Sequence, residues 1–143
     1  MKSVRGSKTA ILRNKASAPA RMLHELGLLQ GRCLDYGCGK GDDVRAYGMV
    51  GWDPAHSPGR PRGKFNTVVC SYVLNVVAPK DVPNILQDIT SLLKPGGRAY
   101  LTVRRDLGGR SKAGNGTTQH HVVLDLPVIH RRSGQFVTYL LKN

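Results

Sequence analysis

Apolar positions along this chain recur with two periods, and the alternation between them sketches a fold. Over residues 18–29, Met22, Leu23, Leu26 and Leu29 share one helical stripe. Ser17 is placed to cap that helix, Pro19 suits its first turn and Gly27 weakens its end. Short apolar runs of strand length follow at 32–35 and 49–53, with room for only a brief helix, 42–47, between them. Residues 65–74 are continuously apolar around Val68, Val69 and Cys70, the pattern of a strand buried on both faces. Helical spacing returns over 81–93 through Val82, Ile85, Leu86, Ile89, Leu92 and Leu93. Asp81 is the expected cap, Pro83 lies in the first turn, and Lys94-Pro95-Gly96-Gly97 forms the stop. A further strand is predicted at 99–103. Two last strands, 121–126 and 136–141, joined through 127–134, read as an antiparallel pair at a sheet edge.

Strands alternating with helices predict an α/β domain with a mostly parallel sheet and an antiparallel closing hairpin. One interval breaks the rhythm. Residues 54–64 are turn formers and bases, where a full doubly wound fold would place a helix and a third strand; both are expected to be missing. Residues 107–118, with Gly108, Gly109, Gly114, Gly116, Arg110 and Lys112, read as a flexible basic loop.

The 143 residues suit one domain, 16–143, preceded by a basic arm, 1–15, that carries Lys2, Arg5, Lys8, Arg13 and Lys15. No stretch approaches the roughly 18 apolar residues of a membrane span, and the N-terminus lacks a secretory apolar region, so no membrane partner is expected. The three cysteines fit no zinc spacing, so no metal is expected. They leave an odd thiol, for which a reducing cytoplasm is the simpler home. Cys33 and Cys70 are expected to pack in buried strands, and Cys38 to be partly exposed. The charge changes the picture more. There are 22 Lys plus Arg against 9 Asp plus Glu, net +13. Such a field attracts polyanions, nucleic acid first, without specifying sequence.

Four of the nine acids gather where the glycines are densest. The first strand runs through Asp35 into Gly37, Gly39 and Gly41; Asp42 and Asp43 start the next helix, and the second strand ends at Asp53. A strand, a glycine turn, a helix and a strand ending in an acid is the layout that grips a nucleoside, with Asp53 placed to accept from ribose hydroxyls. A dinucleotide fingerprint would space its glycines differently and set a pyrophosphate on the helix N-terminus. Here that place holds Asp42 and Asp43, which repel phosphate and tolerate a cation. S-adenosylmethionine has no phosphate and carries a sulfonium and an ammonium, so it is the expected cofactor.

With Leu34-Asp35-Tyr36-Gly37-Cys38-Gly39-Lys40-Gly41, the acid Asp53, the buried strand 67–72 and Leu92-Leu93-Lys94-Pro95-Gly96-Gly97-Arg98, the chain resembles the class I S-adenosylmethionine-dependent methyltransferases, in a reduced Rossmann-like form. Residues 36–44 and 51–55 look most like a small group of methyltransferase-like proteins associated with phages and with DNA phosphorothioation clusters. The resemblance implies that Asp35, Gly37, Gly39 and Gly41 hold the methionine moiety and Asp53 the ribose, with Tyr36, Cys38 and Asp42 also counted among the cofactor-binding residues. It further implies that Trp52 and Pro54 wall the adenine, and that Ser71 and Tyr72 face the methyl group. With the third strand absent, a partner chain or second copy is one source of the missing adenine contacts.

The acceptor side is less defined. Residues 70–75 lack the prolines of amino-DNA methyltransferases, and Cys70 follows Val69 rather than the proline common before a carbon-methylating cysteine. Candidate catalytic residues are Tyr72 and Asn75 after the fourth family strand, Arg104 and Asp106 after the fifth, and His120. Arg105, Gln119 and His121 lie near them in sequence. Asp106 or His120 is a candidate general base, Arg104 and Arg105 suit a phosphate, and Tyr72 suits stacking on a flipped base. Opposed to these are a locally paired Asp106, surface histidines and a Tyr72 that merely packs. The function expected is methyl transfer to nitrogen or oxygen of RNA or DNA. The alternatives are a cofactor-binding module that serves a partner subunit and, more weakly, an enzyme that methylates small molecules or degrades the cofactor.

Overall fold

The computed structural model describes residues 16–107, 112–114 and 117–143. The basic arm and much of the expected 107–118 loop therefore lie outside the described residues. Helix α1 (Ala18–Glu25) begins where Ser17 accepts from the Ala20 amide, and it ends at Leu26, earlier than its apolar stripe suggests, because Gly27 turns left-handed (φ +72°). Strand β1 (Cys33–Tyr36), helix α2 (Asp42–Tyr47), strand β2 (Val50–Trp52) and strand β3 (Phe65–Ser71) follow. A 3₁₀ turn (Pro79–Asp81) leads into α3 (Val82–Leu92) and directly into β4 (Leu93–Arg104). Asp81 makes no side-chain cap, contrary to expectation; the preceding 3₁₀ turn holds it in helical geometry, unlike a capping residue. The last elements are β5 (Lys112–Gly114), β6 (Thr117–Gln119), β7 (Val128–Arg132) and β8 (Phe136–Lys142).

The main sheet has strand order β2-β1-β3-β4-β8-β7. Pairings from β2 through β4 are parallel, and those of β4 with β8 and β8 with β7 are antiparallel. Residues 53–64 hold no strand, only a bridge between Asp53 and Ser57, so β2 is a sheet edge. β5 and β6 form a separate small pair within the segment expected to be loop.

One strand falls elsewhere than the sequence suggests. Residues 121–126 are not a strand; the penultimate strand is β7, inside the expected connection. Val122, Leu124 and Leu126 alternate as strand residues would, but they use that alternation to cover the sheet face as irregular chain. Pairing with β8 instead begins after Pro127, which has no amide to donate to a ladder.

Both sheet faces are covered. On one, α3 packs Ile89 and Leu92 against Leu34, Val68, Leu101 and Val103. On the other, Met22 and Leu23 of α1 meet Val69, Tyr100 and Phe136. Cys70 is buried as expected, whereas Cys33, near the open end of its strand, is only half-buried. No helix among the described residues is long and apolar enough to cross a membrane.

Candidate functional site

The strand order reverses between β1 and β3, and a cleft opens at their carboxyl ends, the place where doubly wound sheets bind ligands. Its shape comes from backbone. The Gly37 and Cys38 amides both donate to the Trp52 carbonyl, at 2.7 and 3.0 Å, tying the glycine turn to β2. Gly37 has φ +84°, and a Cβ there would stand 2.4 Å from Val73 Cγ2, so only glycine fits.

Two cavities adjoin in this cleft, sharing Gly37, Ser71 and Tyr72. One, of about 320 Å³, is acidic: Asp35, Asp42 and Asp43 line it with Ser17, Cys38, Gly39 and Lys40. The other, of about 400 Å³, is largely apolar, walled by Tyr36, Trp52, Pro54, Val73, Val77 and Ile85. Ser71 Oγ, buried between them, has no hydrogen-bond partner. Tyr72 sits at φ +65°, the one non-glycine residue in the left-handed region among those described. Strain of that kind costs on the order of 1–3 kcal/mol and gathers at functional sites.

The acids divide by what they touch. Asp53 Oδ2 accepts from the Gly39 amide at 2.9 Å, and Oδ1 accepts from Ala55 and His56 at 2.9 and 3.1 Å. Its slight burial opposes ionisation, but these three amides outweigh it and hold the carboxyl below the usual range. Asp53 thus fixes the turn as well as facing the apolar cavity. Asp35 is 4% exposed, and burial first, then the charges of Asp43 and Asp53, push its carboxyl up to about 7. Asp42 pairs with Arg45 at 2.5 Å. Asp43 accepts from both the amide and the hydroxyl of Ser17, each at 2.7 Å, clamping the start of α1 beside the glycine turn. Tyr36 packs its ring 4.9 Å from that of Trp52 and donates to Asp88 at 2.7 Å; Arg60 holds the same Asp88, which anchors the 54–64 segment to α3.

A third cavity, of about 490 Å³, lies across Tyr72, sharing it and Val76 with the apolar one; Arg104, Asp106, Gln119, Gly134 and Gln135 complete its wall. Here the structure corrects two expectations, for Asn75 and for Arg105. Asn75 is fully buried: its amide donates to the His120 carbonyl and its side-chain oxygen accepts from the Arg104 amide, so it is a positioning residue that touches no acceptor. The backbone of His120 is tied to Asn75, and its neighbour Gln119 supplies the cavity wall. Arg105 points inward to the Val122 carbonyl and the Tyr139 hydroxyl rather than toward a phosphate. Arg104 grips both oxygens of Asp106 at 2.8 Å, the local pairing weighed from sequence. The Tyr72 hydroxyl is pushed up by burial and then by Asp106, against the pull of Arg132 and Arg104.

Sequence reading passed over Ser17, Val73, Val76, Val77, Ile85 and Gln135 as site residues. Ile85 reads as part of a helical core stripe and Val73 as part of a buried strand, and nothing local marks the others as meeting at one cleft.

A parallel sheet with a glycine-shaped, half-acidic cleft at its switch point defines an α/β nucleoside-binding protein of the class I methyltransferase architecture. The sequence profile of the family described as methyltransferase domain matches residues 10–140, and the chain belongs to that family. S-adenosylmethionine-dependent methyltransferase is accordingly its enzyme class, as expected from the sequence. No curated protein sequence matches it. Among solved structures, the fold is similar to a Burkholderia thailandensis 1,6-didemethyltoxoflavin N1-methyltransferase with bound S-adenosylhomocysteine (TM-score 0.64, 16% identity, covering 92% of this chain and 77% of that one). It is also similar to a methyltransferase from Bacteroides fragilis in complex with S-adenosylhomocysteine (0.59, 14%, 92% and 79%) and to one from Mesorhizobium loti (0.57, 14%, 94% and 96%).

Proposed function

We propose that this protein binds S-adenosylmethionine in the paired cavities and transfers its methyl group to nitrogen or oxygen of nucleic acid. The residues fit the cofactor. The acidic cavity holds carboxylates where an ammonium and a sulfonium would lie, the apolar one offers Trp52 and Pro54 to an adenine, and the unpartnered Ser71 Oγ stands between. Bound there, the cofactor supplies an already activated methyl group. In-line displacement there would form the bond from acceptor to carbon as the one from carbon to sulfur breaks; sulfur would keep the pair and an acceptor proton would pass to water. The task of the chain is alignment, for which Tyr72, held off its relaxed backbone geometry between the cofactor cleft and the third cavity, is the dividing residue.

The observation that carries the nucleic-acid reading is the strongly basic balance of the chain, set against the acids gathered on the cofactor side of Tyr72. Acids line one side. On the other stand Arg104, held by Asp106, and the exposed Arg132, whose guanidinium lies 5.1 Å above the Phe136 ring, in a chain of net +13. A second reading, a cofactor-binding module, draws on Asn75 and Asp106 being engaged in holding the site together. Labelled S-adenosylmethionine incubated with total RNA, DNA and small-molecule extract separates the readings. Label in nucleic acid, lost in Asp53→Ala with the three amide contacts, is the expected result. Cofactor binding without transfer establishes the module, and label confined to small molecules refutes the nucleic-acid acceptor.

A further inference from the structure

The third cavity carries a feature that the reaction just described does not use. Gln119 lines it, and its Oε1, tucked against the wall, is buried without a hydrogen-bond partner. A buried carbonyl oxygen left unpaired is costly and rare, so a donor supplied by a ligand would be strongly favoured there. The final torsion of a glutamine is soft, so a small turn of the amide presents Oε1 to the cavity without rebuilding the wall. The rest of the wall offers few rivals for such a donor, since Asp106 is gripped through both oxygens by Arg104.

The remaining lining defines the shape of what enters. Tyr72 and Val76 give the cavity an apolar side shared with the cofactor cleft, suited to a flat ring. Gly134 and Gln135 line it from the turn between β7 and β8, and Arg132, two residues before Gly134, stands exposed with its guanidinium over Phe136.

We infer that this cavity is the acceptor pocket and that Gln119 selects a nucleobase carrying an exocyclic amine, by accepting one of its N–H hydrogens at Oε1. This rests on the nucleic-acid reading above and names its substrate class. An amine suits the position because it spends one hydrogen on Gln119 and keeps its nitrogen facing Tyr72 and the cofactor cleft beyond. A base in this pocket has left its stack, so the preferred substrate is single-stranded or flipped.

The probes are two pairs of nucleoside monophosphates that differ only in the amine. Adenosine monophosphate is set against purine riboside monophosphate, and cytidine monophosphate against pyrimidin-2-one riboside monophosphate. Binding to the full chain is measured by equilibrium dialysis with S-adenosylhomocysteine present, for wild type, Gln119→Leu and Gln119→Glu. In one pair at least, the amine-bearing member binds wild type about tenfold more tightly. Gln119→Leu removes the difference, whereas Gln119→Glu, which keeps an acceptor oxygen, preserves it. Equal binding within both pairs, or a preference that survives in Gln119→Leu, overturns the inference. Thermal melts of the three proteins reveal any variant that fails to fold; should Gln119→Leu be one, the comparison within wild type still decides. Transfer of label from S-adenosylmethionine to total RNA or DNA tests the nucleic-acid reading separately, and calorimetry of S-adenosylhomocysteine alone the cofactor reading, so the failures are distinguishable.

Discussion

Tyr72 separates two regions that are built by opposite means. On the side of β1 and β2, the cleft is made by main chain: glycines at positive φ, amides donating to Trp52, and a carboxylate, Asp53, that collects three N–H groups within a few residues of itself and from Gly39. On the side of β4 and β8, the cavity is made by side chains from segments far apart in sequence, with Asn75 bonding residues 29 and 45 positions away to hold them together. The first region owes its turn to residues 35–53 and carries the acids Asp35, Asp42, Asp43 and Asp53. The second has the exposed Arg132 near its rim and joins segments tens of residues apart. The difference teaches which half is robust to sequence drift: a turn that needs glycine tolerates almost nothing there, whereas a side-chain wall can change residue by residue and so change what it accepts.

The sharpest way to break this contrast is at Gly37. Gly37→Ala places a Cβ 2.4 Å from Val73 Cγ2 at a φ that side chains avoid, so the turn must move. Loss of stability of roughly 1–3 kcal/mol and loss of measurable S-adenosylmethionine binding by calorimetry are expected. Unaltered binding would show that the cleft is not shaped by this turn.

A second test uses the buried acid. Asp35 lies at about 7 because burial and the neighbouring Asp43 and Asp53 disfavour its charge. A cationic ligand favours the ionised form, so affinity rises with pH up to about 7 and levels above it, and binding below that releases a proton. Below the plateau the change approaches tenfold per pH unit. In the free protein the sign runs the other way. A folded-state value above the unfolded one contributes stability at low pH that is lost as pH rises through about 7. Asp35→Asn therefore flattens the binding profile and raises Tm at pH 8 more than at pH 5. Proton release in calorimetry run in buffers of different ionisation enthalpy checks the first statement; an identical pH profile in the variant would remove Asp35 from the site.

The smallest effect sharpens the basic side. Arg132→Ala should weaken nucleic-acid binding alike for all sequences and reduce the slope of log affinity against log salt by about 1. Arg132 is exposed and covers the buried Phe136 ring, a contact of about 0.5–1 kcal/mol at such a site, so Tm should fall only slightly. A shift in sequence preference instead would place Arg132 in base reading rather than phosphate contact.

Much of the cofactor side was legible in the chain because its causes are local. Positive φ demands glycine at Gly37, Gly39 and Gly41, and strand-to-loop ends placed Asp35 and Asp53 at one sheet edge. The absent third strand was legible too, from the turn formers in 54–64. The error at 121–126 has a physical source: alternation reports burial of one face, which an irregular segment lying on a sheet achieves as well as a strand does. Asn75 misled for a related reason, since a polar residue past a strand end looks the same whether it faces a ligand or bonds three chain segments inside the core.

From its sequence alone this protein was committed to a parallel sheet, a glycine turn and a ring of acids, because torsional limits and strand periodicity act between near neighbours. Tertiary structure decided which acids remain unneutralised, that Asp43 clamps Ser17, and that Gln119 comes to stand across Tyr72 from the cofactor cleft. Those outcomes depend on burial and on partners tens of residues away, quantities that exist only once the chain has closed on itself.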